Sequence, residues 1–103
     1  MSTTSREERG MDIETTKKRI NELLHEAREA AKSPEAYGLL PDVIRILEML
    51  QSRLESENPD WESIVRGAGA LGRVVTDSYS FSESSLGNKL LEFVNEIIVQ
   101  YGH

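Results

Sequence analysis

Four helix-length amphipathic segments follow one another along this chain, separated by Ser33-Pro34, Gly38-Leu39-Leu40-Pro41, Asn58-Pro59 and a serine-rich bend near Ser78 to Ser85. Apolar residues recurring every three or four positions make one face of a helix, and proline and glycine clusters mark where each helix stops. That alternation constrains the fold to an all-α class, an antiparallel four-helix bundle with a short extra helical turn between the first and second helices. At 103 residues the chain is long enough for one core and too short for a second independent fold.

The first helix is expected from Asp12, an N-cap, to about Lys32, with Ile13, Ile20, Leu23, Leu24, Ala27 and Ala31 on one face. Residues 1–11 read as a disordered polar tail ahead of a single domain over 12–103, and Met11 is an alternative start. Ser33, Pro34 and Glu35 suit an N-cap and first helical positions, which predicts one helical turn over Glu35 to Tyr37. The second helix begins near Pro41 or Asp42. Val43, Ile44, Leu47, Leu50 and Leu54 form its stripe, widened by Ile46 and Met49.

Asn58-Pro59-Asp60 reads as N-cap, N1 and N2 of the third helix, whose face holds Trp61, Ile64, Val65, Ala68, Leu71, Val75 and Tyr79 and which reaches about Ser78. Ser82 is the expected cap of the fourth helix, with Phe81 and Leu86 as a hydrophobic staple. That helix runs to about Tyr101. Leu86, Leu90, Phe93, Ile97 and Tyr101 face one way, and Leu91, Val94 and Ile98 widen the arc to one side.

Chemical motifs are sparse. Gly67-Ala68-Gly69-Ala70-Leu71-Gly72 matches the G-x-G-x-x-G string, but a dinucleotide site needs a strand before it and Asn58-Pro59 opens a helix instead. The structural reading is close helix packing, at a cost of about 1 kcal/mol per glycine against alanine, with a local bend as the functional alternative. Glu22 and His25 make one half of a dimetal-bundle element, and His103 supplies no second copy. His25 also falls opposite the apolar face. The serines lack a G-x-S-x-G elbow and suit turns and caps. No catalytic, cofactor or metal residues are assigned, and the chain is read as non-enzymatic.

The formal net charge of -6 argues against nucleic acid and anionic membrane as partners, since both select clustered Lys and Arg. No apolar run approaches the roughly 18 residues of a membrane span. Cysteine is absent, which suits a reducing compartment and makes the cytoplasm the default. What remains is apolar surface beyond one helix face: Ile46 and Met49 on the second helix, Leu91, Val94 and Ile98 on the fourth. These side chains either fill contacts between inner helices or form a strip that docks a protein partner or a second copy of this chain.

Three segments, Lys32-Ser33-Pro34-Glu35-Ala36-Tyr37, Ile46-Leu47-Glu48-Met49-Leu50 and Phe81-Ser82-Glu83, carry a resemblance that covers roughly Ile20 to Ile98. Over that stretch the chain resembles the immunity proteins that protect producers of pediocin-like bacteriocins. The resemblance implies a small cytosolic antiparallel four-helix bundle without enzyme activity. It also implies self-protection through a bacteriocin–receptor complex, with specificity drawn mainly from the C-terminal half. The chain differs from that family in its acidity and in its glycine string, and no functional residue is transferred.

Overall fold

The computed structural model describes residues 13–102. The expected tail, the Asp12 cap and His103 lie outside the described residues. Five helices follow in order: α1 (Ile13–Ala31), α2 (Leu40–Leu54), α3 (Trp61–Thr76), α4 (Tyr79–Ser82) and α5 (Ser85–Tyr101). No strand occurs among the described residues. Each long helix packs on two others: α1 on α2 and α5, and α3 on α2 and α5. The interface of α1 with α5 is the slightest of the four, and α4 sits against α3 and α5.

The three-and-four spacing of the sequence becomes the core directly. α1 buries Ile20, Leu23, Leu24 and Ala27; α2 buries Leu40, Val43, Leu47, Leu50 and Leu54; α3 buries Ile64, Ala68, Leu71 and Val75. Phe81 of α4 and Leu90, Phe93, Val94 and Ile97 of α5 complete it. Each large side chain removed from water contributes about 1.5–3 kcal/mol toward offsetting chain entropy. Two residues expected inside, Trp61 and Leu86, are instead half-buried at its edge. Thr16 is the buried polar residue, and among the described residues no buried side-chain polar atom lacks a hydrogen-bond partner.

The connections depart from expectation by a residue or two each. Between α1 and α2 there is no helix: Ser33 Oγ accepts from the Glu35 amide at 3.2 Å and its carbonyl from Ala36 at 3.1 Å, making one turn. Tyr37 then turns its ring edge-on to Phe81, centroids 5.0 Å apart, as the chain runs on outside a helix. The α3 cap is Asp60 rather than Asn58, accepting from the Ser63 amide at 3.4 Å and hydroxyl at 3.0 Å. Pro59 therefore precedes the helix instead of opening it.

The serine-rich bend holds two caps where one was expected. Ser78 accepts from the Phe81 amide at 3.3 Å and starts α4; Ser84, not Ser82, accepts from the Gly87 amide at 3.0 Å and starts α5. The short extra helix thus lies between α3 and α5, and its role is to carry Phe81 into the core. Gly87 makes this joint feasible. A Cβ there would overlap the Phe81 carbonyl oxygen and stand 2.9 Å from its carbon, so only a bare backbone lets α4 lie on the first turn of α5.

Gly69 has the opposite surroundings, with nothing within 4 Å of where its Cβ would be. Gly69→Ala should therefore raise stability by about 1 kcal/mol through helix propensity, while Gly87→Ala should lower it by about 2 kcal/mol through forced displacement of α4. Urea unfolding of both variants checks the opposite signs. Asp60 supplies a pH test: the hydrogen bonds from Ser63 hold its carboxyl below the ordinary value of 3.8. Its contribution is present above that ordinary value and lost as pH falls through the lowered one. Asp60→Asn should flatten that acid limb of the urea midpoint and lower the midpoint at neutral pH.

Candidate protein-binding surface

The helix with three glycines, α3, is the one flanked by the surplus apolar residues. α3 runs unbroken through Gly67, Gly69 and Gly72. Gly67 faces α2, where its absent Cβ would be 2.8 Å from Met49 Cε and 2.9 Å from Leu50 Cδ2. Gly72 faces α5, where it would be 3.3 Å from Val94 Cγ1. Two of the three glycines thus admit neighbouring side chains, one on each flank. The string is a packing device inside a helix, with no strand before it.

The five residues singled out from the sequence divide accordingly. Ile46, Met49 and Leu91 are half-buried against the core, and Val94 is buried, so these four serve the flanks of α3. Ile98 is 40 % exposed. Leu91, Val94 and Ile98 follow each other at three and four residues along one side of α5, the side that Val94 shows to face α3. Val65, Gly69 and Gly72 repeat that spacing on α3. Along the outer seam between α3 and α5 this spacing sets Leu91 and Ile98 on the α5 side and Val65 and Gly69 on the α3 side, an apolar strip with open space where a Gly69 side chain would stand.

An aromatic pair whose two rings the spacing assigned to separate helix faces closes one end of this seam. Trp61, at the start of α3, stacks on Tyr101, at the end of α5, with centroids 4.0 Å apart and planes at 14°. Trp61, Glu62, Val65, Tyr101 and Gly102 line a cleft of about 420 Å³ beside the stack. The available signal was positional: one aromatic lies in the first turn of its helix and the other in the last turn of a neighbouring one.

The side of the molecule around α1 is built differently. Every inter-helix salt bridge among the described residues has one end on α1: Arg28 to Glu48 at 2.6 Å, Lys89 to Glu26 at 2.6 Å, and Arg19 to Glu92 at 3.8 Å and Glu96 at 3.6 Å. A groove of about 740 Å³ runs between α1 and α5 over Leu23, but its walls carry Lys18, Arg19, Glu22, Glu26, Lys89 and Glu92. Acid and base alternate along it, and the Lys89–Glu26 and Arg19–Glu92 pairs span it. His25 is exposed on its rim, and no set of metal-ligating side chains occurs among the described residues. Tyr79 and Val99, 79 % and 61 % exposed, add outward-facing apolar area.

Comparison with family models, with curated protein sequences and with solved structures finds no match to this chain.

The assignment of α5 side chains separates surface from core by substitution. Ile98→Asp should cost less than about 1 kcal/mol, as solvent-facing changes do. Val94→Asp should cost at least about 3 kcal/mol by burying an unpaired charge between α3 and α5. Chemical denaturation of the two variants, read by far-ultraviolet circular dichroism, checks the difference.

Proposed function

We propose that this chain is a non-enzymatic protein-binding module, an antiparallel four-helix bundle with a short fifth helix, that holds another protein along the α3–α5 seam. The observation that carries this is the apolar strip along α3 and α5: Ile98 stands 40 % exposed on the α5 side that also carries half-buried Leu91, while Val65, Trp61 and Tyr101 are half-buried along the same pair of helices. Apolar residues set along one seam of a small domain, beyond those its core encloses, suit a docking site. The antiparallel arrangement is supported by the order of contacts. Arg19 meets Glu92 and Glu96 while Glu26 meets Lys89, and Trp61 meets Tyr101 while Gly72 meets Val94.

The partner is a different protein rather than a second copy of this chain. Two copies would each bring a net charge of -6, and with Val94 buried and Leu91 and Val65 half-buried, Ile98 is the exposed member of the strip, far short of the broad apolar face of an obligate dimer. A cytoplasmic setting and a bacteriocin-immunity role are the narrower version, which rests on the resemblance of segments such as Lys32 to Tyr37 and Ile46 to Leu50. No helix among the described residues is long and apolar enough to cross a membrane.

Light scattering coupled to size exclusion, repeated over a range of concentrations, should give a monomer throughout; a stable dimer would transfer the seam to self-association. Capture experiments with the immobilised chain should then retain a specific partner that Ile98→Asp loses while keeping its helical circular dichroism. Equal retention by that variant would sink the seam as the binding surface.

A further inference from the structure

The cleft at the end of the seam has a chemistry of its own. The stacked pair of Trp61 and Tyr101 and the apolar side chain of Val65 line it, and among the described lining residues the one carboxylate is that of Glu62. A volume of about 420 Å³ lies within the range of ligand clefts, roughly 300–1,000 Å³. Aromatic rings, an apolar side chain and one carboxylate suit a cation carried on an apolar stem. A planar guanidinium fits best, because it can lie over a ring face while donating a forked pair of hydrogen bonds to a carboxylate.

Glu62 is accessible for that role. Its partner is Arg66 at 3.7 Å, and the two side chains are 82 % and 74 % exposed. A pair this long and this hydrated is worth little and exchanges readily for a better-oriented cation. The chain's negative charge draws basic partners toward it at long range, and Glu62 gives that attraction a local end point.

We propose that the Trp61–Tyr101–Glu62 cleft is a binding site for an arginine side chain, presented by a basic segment of the partner that lies along the α3–α5 seam. The identity of the bearer rests on the protein-binding reading; the site's affinity for arginine does not. Trp61 is the sole tryptophan of the chain, so its emission reports on the cleft without a label.

The test is a fluorescence titration of the full chain with an acetylated, amidated hexa-arginine peptide, with a hexa-glutamate peptide as control. Trp61 emission should change saturably with the arginine peptide and stay flat with the glutamate peptide. Glu62→Gln should raise the dissociation constant about fivefold, and Arg66→Gln, which frees Glu62 and removes a like charge, should lower it about threefold. Tyr101→Leu should abolish the response with helical circular dichroism unchanged. Glu83→Gln, near α4 at the other end of α5, should leave the constant within about twofold. No saturable change, or equal weakening by Glu83→Gln and Glu62→Gln, would overturn the site and reduce the attraction to net charge. Because capture along the seam is read with Ile98→Asp, loss of arginine binding leaves that reading standing, and loss of capture leaves the arginine site standing.

Discussion

The closeness of α3 to its two neighbours is the constraint on which the rest of the arrangement depends. At Gly67 and Gly72 the helix has no side chains of its own to offer, so Met49 and Leu50 from α2 and Val94 from α5 come down onto its backbone. Dispersion attraction falls off steeply with distance, so this close approach makes small residues at the crossing worth their loss of helix propensity. With α3 drawn in on both flanks, the apolar residues that lie beyond each crossing, Ile46 on one side and Leu91 and Ile98 on the other, are left as shoulders rather than core. The candidate surface is thus a by-product of tight packing at two glycines.

α1 and α3 stand in contrast. α3 is held by shape, with no inter-helix salt bridge among the described residues, whereas α1 is tied to α2 and α5 by Arg28, Glu26 and Arg19. Exposed ion pairs of this kind contribute about 0–1 kcal/mol each and act more on register than on stability. One side of the molecule therefore presents charge paired between helices, and the other presents apolar residues beside the exposed Glu62–Arg66 pair within α3. That division supports reading the α3–α5 side as the face that meets other molecules.

Much of the fold was legible because period and burial coincide: Val43, Leu47, Leu50, Ile64, Ala68, Leu71, Leu90 and Phe93 were placed inside from spacing alone and are buried. The caps were less legible, since local sequence offers several acceptors within a turn of each other and tertiary contacts choose among them. Asn58 and Asp60 are both good caps, and Trp61 reaching Tyr101 accompanies the later start; Ser82 and Ser84 are both good caps, and burial of Phe81 accompanies the second. The turn at Ser33 stays short of a helix, and Tyr37 beyond it has a ring partner in α4, which no local pattern reveals. The cleft at Trp61 was hidden for the same reason, its two aromatic walls lying at opposite ends of different helices.

The charged groove between α1 and α5 has a consequence for how the molecule comes together and apart. Lys89 and Glu26 are 63 residues apart, whereas α3, α4 and α5 follow one another through short joints. Closing the ring of helices at that seam fixes a long loop, at an entropic cost that grows with its length, and returns the slightest interface of the four. The α1–α5 seam is therefore the least extensive joint of the ring, and high ionic strength weakens it further by screening its ion pairs. The chain is a strip of helices fastened into a ring by a polar clasp, and α5 carries that clasp on one flank and the apolar strip on the other, so an opening of the clasp reaches the α3–α5 seam through a shared helix.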